Sequence, residues 1–212
     1  MIPVKICGIT NLFDALCCIE NGVAALGFVF APSKRRINVA KAFEIVRVLP
    51  PFVTRVGVFV DEDPLVIKEI LKDCRLDLAQ LHGAETAAVS EILPGRVIKA
   101  FKAGLDQPDP AWKGLPLRAI LVDSYSPQEA GGTGRSFNWD LFAGFRVLGY
   151  PLILAGGLNP NNIQTAIRAA RPDGVDLSSG VEERPGQKDP TKIEKLMEGV
   201  RNLNLRSDVS GG

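Results

Sequence analysis

Val4-Lys5-Ile6-Cys7-Gly8-Ile9-Thr10 is a short apolar run that ends in a thiol and a glycine and leads at once into a helical pattern. A strand that delivers one reactive side chain at its end and then turns into a helix is the unit from which α/β enzymes build active sites. Leu12, Ala15, Leu16 and Ile19 follow at the i, i+3, i+4, i+7 spacing of an amphipathic helix, with Thr10 or Asn11 as the cap and Gly22 as the stop.

Outward from this stretch the same unit recurs. Apolar runs at 24–30, 56–60, 76–81, 97–101, 119–122, 152–155 and 175–177 read as strands covered on both faces, as parallel strands are. Between them lie helical stripes: Val39, Ala42, Phe43 and Val46 before Pro50-Pro51, then Ile67, Ile70, Leu71 and Cys74 after the N-cap pair Asp63-Pro64. A shorter stripe of Val89, Ile92 and Leu93 follows, and an aromatic helix is expected around 139–145. Ile163, Ala166, Ile167 and Ala170 follow Asn159-Pro160, and Ile193, Leu196, Met197 and Val200 follow Asp189-Pro190. The stretch 103–116 holds three prolines and no stripe, so the helix there is short or irregular.

Eight such alternations fit an open doubly wound sheet or a closed barrel, and the count favours a (β/α)8 TIM barrel. The chain is 212 residues long, near the roughly 200 residues at which such barrels begin, and reads as one catalytic domain over 1–203. A polar C-terminal tail, 204–212, is expected to fray, beginning near Asn202.

Charge and composition narrow the partner. The net charge is +1 and the 25 basic residues are spread along the chain, which argues against nucleic acid and anionic membranes and for a small molecule. No apolar run approaches the ~20 residues of a membrane span. Met1-Ile2-Pro3-Val4-Lys5 does not begin a signal peptide, so a cytoplasmic location is expected. The four cysteines show no CxxC spacing and the chain has one histidine, which argues for free thiols and against a metal site. Monomer and homodimer both remain open.

In a barrel the chemistry gathers just after each strand. Gly156-Gly157 and Ser178-Ser179-Gly180 end the seventh and eighth strands, where such barrels hold phosphate on backbone N–H groups, although either turn alone is equally a tight turn or a cap. Position alone leaves Cys7 either a small packing residue or a thiolate. Asp123 ends the sixth strand, where a carboxylate points to acid or base work. Arg35-Arg36 is either a solvated pair or a carboxylate grip, His82 ends the fourth strand, and Gly131-Gly132-Thr133-Gly134 suits a linker or a mobile lid.

Lys5-Ile6-Cys7-Gly8-Ile9-Thr10, Gly27-Phe28-Val29-Phe30, Ser33-Lys34-Arg35-Arg36, Gln80-Leu81-His82-Gly83, Val122-Asp123-Ser124, Gly131-Gly132-Thr133-Gly134, Leu154-Ala155-Gly156-Gly157-Leu158 and Val175-Asp176-Leu177-Ser178-Ser179-Gly180-Val181-Glu182 together resemble the phosphoribosylanthranilate isomerases of tryptophan biosynthesis. The resemblance spans nearly the whole chain. Asn138 and Leu177 depart from it, at positions to which no chemistry is assigned. It implies a (β/α)8 barrel that performs an Amadori rearrangement, turning N-(5-phosphoribosyl)anthranilate into 1-(2-carboxyphenylamino)-1-deoxyribulose 5-phosphate without cofactor or metal.

By the family motif, Cys7 is the base, Asp123 the acid, and Arg36 the partner of the anthranilate carboxylate. Gly156, Gly157, Ser178, Ser179 and Gly180 hold the phosphate. Cys7 must then act as a thiolate near neutral pH, where a free thiol at ~8.5 is only a few per cent ionised. Helix N-termini and Arg36 are expected to supply the help. A histidine-pathway aminoaldose isomerase on the same barrel resembles a pair of aspartates instead, which Cys7 argues against. A phosphate-ligand sensor would have lost the acid or the base, and both are present.

Overall fold

Val4–Cys7 forms strand β1, and its side chains alternate between the interior of a barrel and the layer of helices outside it. In the computed structural model, which describes residues 1–123 and 139–207, seven more parallel strands follow. They are β2 (Ala25–Val29), β3 (Thr54–Phe59), β4 (Leu78–Leu81), β5 (Val97–Lys102), β6 (Leu117–Asp123), β7 (Leu152–Ala155) and β8 (Gly174–Leu177). Each pairs with the next, and β8 returns to β1 with Lys5 opposite Asp176, closing the barrel expected from the count of units.

The helices are α1 (Leu12–Glu20), α2 (Val39–Val46), α3 (Pro64–Asp73), α4 (Val89–Ile92), α5 (Trp139–Gly144), α6 (Ile163–Ala170) and α7 (Pro190–Ser207). Their caps are local. Asn11 accepts the Asp14 N–H at 2.8 Å to start α1, and Asp63 accepts the Leu65 N–H at 2.7 Å to start α3. Ile163, Ala166, Ile167 and Ala170 of α6 are all buried, as their spacing requires. Cys74 is buried behind α3.

Two expectations are corrected. On α1 the buried face is Asp14, Ala15 and Cys18, whereas Leu12 and Leu16 are exposed. The helix is turned by a polar tether, because the Asp14 carboxylate accepts the backbone N–H of Lys188 at 2.8 Å. Between β5 and β6 the helix is short and irregular, as expected: a single 3-10 turn, Pro110–Trp112, whose buried Trp112 meets the Phe101 ring edge-on at 6.5 Å. Finally, α7 continues to Ser207, past the point near Asn202 where fraying was expected. The proposed lid Gly131–Gly134 lies outside the described residues, as do 208–212.

After β8 comes a piece the sequence did not announce. A 3-10 turn, Ser179–Val181, leads into a small antiparallel hairpin of β9 (Glu182–Arg184) and β10 (Gln187–Lys188) that folds back over the end of β1. Among the described residues no helix is long and apolar enough to cross a membrane.

Candidate active site

A cavity of about 310 Å³ opens at the C-terminal ends of the strands. Cys7 from β1, His82 after β4, Asp123 from β6, Gly156-Gly157 after β7 and Ser178-Ser179 after β8 all line it. Five strands therefore contribute one or two groups each, the arrangement that strand-end chemistry predicts.

Cys7 sits beside a buried ion pair. Lys5, two residues back on the same face of β1, reaches Asp176 of β8 with Nζ 2.9 Å from both carboxylate oxygens, and its ammonium also acts on the Cys7 thiol. Gly27 on the neighbouring strand makes this possible: a Cβ there would stand 2.8 Å from Cys7 Sγ and 3.1 Å from Lys5 Cε. Burial pushes the Cys7 thiol above its ordinary range; Lys5 and Lys188 pull it down and Asp176 pushes it up, and burial prevails. The expected helper was Arg36 with helix N-termini; the cations that pull the Cys7 thiol down are the Lys5 and Lys188 ammonium groups. Lys5 itself is opposed by burial and held above its usual value by Asp176.

Lys188 fixes the end of β1 from above. Its buried ammonium donates to the Cys7 carbonyl at 2.6 Å and pairs with Glu182 at 2.9 Å. Glu182 also receives Arg35 in a two-pronged pair at 2.8 and 2.6 Å. Burial opposes ionisation of Glu182, yet Arg35 and Lys188 hold it down at about 2. Arg35 lines the cavity with its guanidinium already engaged. Arg36, the carboxylate partner expected from the motif, is exposed and does not line the cavity; its backbone bridges to Val29 at the cavity rim.

The turns after β7 and β8 touch. A Cβ on Gly180 would overlap the carbonyl oxygen of Leu158, so only glycine allows the approach, and Gly156 and Gly157 both take positive φ, at 93° and 62°. Ser178 Oγ donates to the Cys7 carbonyl at 3.1 Å, which ties the second turn to β1. Gly180 supports the turn from behind and does not line the cavity.

His82 stands between two partners. Its Nδ1 is 3.3 Å from Gln80 Nε2, and its Nε2 is 3.6 Å from Asp123 Oδ2. Sequence reading passed over Lys5, Gln80, Asp176, Glu182 and Lys188. For the first three a signal existed: a charged or amide residue inside an otherwise apolar strand has to be paired or used.

The profile of the family described as N-(5'phosphoribosyl)anthranilate (PRA) isomerase matches residues 4–199. The chain belongs to that family. It is 45% identical over 203 residues to the N-(5'-phosphoribosyl)anthranilate isomerase of Trichlorobacter lovleyi, covering 95% of this chain and 98% of the relative. The phosphoribosylanthranilate isomerase of Thermotoga maritima is 41% identical, with a TM-score of 0.83 over 96% of this chain and all 100% of that one. Another isomerase structure, solved in complex with reduced 1-(o-carboxyphenylamino)-1-deoxyribulose 5-phosphate, gives 39% identity and a TM-score of 0.81, covering 96% and 100% of the two chains. The likeness to a 3-hexulose-6-phosphate synthase, at 14% identity and a TM-score of 0.69 over 93% and 99% of the two chains, shows the barrel alone.

Proposed function

We propose that this phosphoribosylanthranilate isomerase family member converts N-(5-phosphoribosyl)anthranilate into 1-(2-carboxyphenylamino)-1-deoxyribulose 5-phosphate in tryptophan biosynthesis, with Asp123 as acid and Cys7 as base. The observation that carries the assignment is that one cavity receives both groups from separate strands, with the paired turns of β7 and β8 beside them. Asp123 gives its proton to the furanose oxygen as the C1–O bond breaks, and the anilinic nitrogen lone pair forms the C1=N bond of the Schiff base. Cys7 thiolate then takes the proton on C2. The C2–H electrons become the C1=C2 bond, and the C1=N electrons return to nitrogen. The resulting enolamine loses its C2 hydroxyl proton and gains one at C1, leaving the ketone.

The two turns hold the phosphate on backbone N–H groups of Gly156, Gly157, Ser178, Ser179 and Gly180, and Arg36 folds in from the rim to meet the anthranilate carboxylate. Because burial keeps the Cys7 thiol high, the base forms by losing its proton beside the Lys5 ammonium. No cofactor or metal enters these steps. The reading places the chain in the cytoplasm as a catalytic domain over 1–203, with a small phosphorylated substrate, no nucleic-acid partner and a monomeric or homodimeric state.

Mixing the protein with freshly made phosphoribosylanthranilate and following anthranilate-type fluorescence tests the activity. Fluorescence should fall in proportion to enzyme added. Unchanged fluorescence, with a histidine-pathway aminoaldose turned over instead, would overturn the substrate; binding without turnover of either would make the chain a sensor.

A further inference from the structure

Among the described residues one buried side-chain atom lacks a hydrogen-bond partner, Oε1 of Gln80. Gln80 is 2% exposed on β4, and its other terminus, Nε2, faces Nδ1 of His82 at 3.3 Å. An amide nitrogen only donates, so a neutral imidazole must accept at Nδ1 and carry its proton on Nε2. That nitrogen points at Asp123 Oδ2, 3.6 Å away. Turning the amide over would give Oε1 a donor in Nδ1–H, but the bare Nε2 would then accept the Asp123 proton and draw it away from the substrate. The unsatisfied oxygen is thus what remains when the amide is oriented for the histidine.

We propose that Gln80 is a positioning residue that works through His82, fixing the Nε2–H tautomer so that Oδ2 of Asp123 is held as the acceptor oxygen and Oδ1 carries the proton delivered to substrate. This rests on Asp123 being the acid. The Nε2–H contact is longer than a hydrogen bond in the free protein and tightens as negative charge develops on Asp123 during ring opening, because a hydrogen bond to an ionised acceptor is the stronger one. Neither Gln80 nor His82 belongs to the phosphate turns or to the Arg36 rim, so the effect falls on kcat and leaves KM in place.

The chain's single histidine makes the tautomer directly readable. In protein labelled with ¹⁵N-histidine, at pH about 8.5 where a model imidazole (~6.5) is neutral, one pair of ring nitrogens appears. The parent should show the proton on Nε2. Gln80→Glu supplies an acceptor to Nδ1–H and should reverse the tautomer, lowering kcat by about 10- to 100-fold, as loss of an orienting partner does in metal sites, with KM within about twofold. Gln80→Met, which adds no charge, should give a tautomer mixture and an intermediate kcat, and it serves if the glutamate variant does not fold. A parent protonated on Nδ1, or a reversed tautomer with parental kcat, overturns the proposal. Parental kcat in Asp123→Asn with Nε2–H intact removes the acid assignment, and with it the catalytic purpose of the tautomer, while leaving the tautomer itself confirmed.

Discussion

Among the described residues the barrel opens cavities of nearly equal size at its two ends, about 310 Å³ at the C-terminal ends of the strands and about 300 Å³ at the N-terminal ends. The lower one is walled mainly by Val4, Ala25, Val56, Leu78, Ile98, Ala119, Ile153 and Val175. Its Asp173 is already occupied, accepting the Leu152 N–H at 2.8 Å. The upper one collects a thiol, an imidazole, carboxylates and two glycine turns. Volume does not separate a site from a void; convergent polar groups with room to act do. Lys5 lines the lower cavity, while its ammonium pairs with Asp176, which lines the upper one.

This contrast is most exposed to failure at Cys7 and Asp123. Cys7→Ser and Asp123→Asn should each lower kcat by about 10²- to 10⁴-fold, the usual worth of general acid–base catalysis, with ligand affinity kept by the phosphate and carboxylate anchors. Full turnover in Cys7→Ser would return Cys7 to a packing role and make the upper cavity no more chemical than the lower. Arg36→Met should raise KM by about 10- to 100-fold, the loss of one charge-assisted pair. A substrate analogue without the carboxylate should bind variant and parent alike; equal losses for both ligands would give Arg36 another task.

A finer test uses the groups around the thiol. The rising limb of kcat/KM against pH should lie above the ordinary thiol range in the parent, since burial raises Cys7. Asp176→Asn removes a negative charge and should move the limb to lower pH; Lys5→Met removes the ammonium and should move it higher. Limbs that move together belong to some group other than Cys7.

Glu182 supplies a test in acid. Its carboxyl is lowered from 4.5 to about 2 in the fold, so its contribution to stability is complete above about 4.5 and is lost as pH falls toward 2. Thermal unfolding of Glu182→Gln should show a flatter Tm dependence across that window than the parent. The smallest effect belongs to the lower cavity: Ile98→Val should cost about 0.5–1.5 kcal/mol of stability and leave kcat unchanged. A fall in turnover there would blur the division between the two ends.

The stripes on α6 and α7 were legible because a helix that only covers a sheet is positioned by its apolar residues, and Ile163 through Ala170 and Ile193 through Val200 are. Leu12 and Leu16 misled because α1 is turned by the tether from Asp14 to Lys188, a contact across 174 residues that no local spacing contains. The strand-end rule picked out Cys7, Asp123, Gly156-Gly157 and Ser178-Ser179, which line one cavity. It missed Lys5 and Asp176, whose pairing exists only once β8 lies against β1. It missed Lys188 because the hairpin that carries it is short and polar, without a periodic pattern to read.

That closing seam also sets an order of events during synthesis. β1 leaves the ribosome first and β8 follows some 170 residues later, so the thiol is made long before the carboxylate that secures its ammonium neighbour and the lysine that clasps its carbonyl. Until the last strand docks, Cys7 is an ordinary cysteine on a growing chain, and its buried, charged surroundings are complete only when the ring closes.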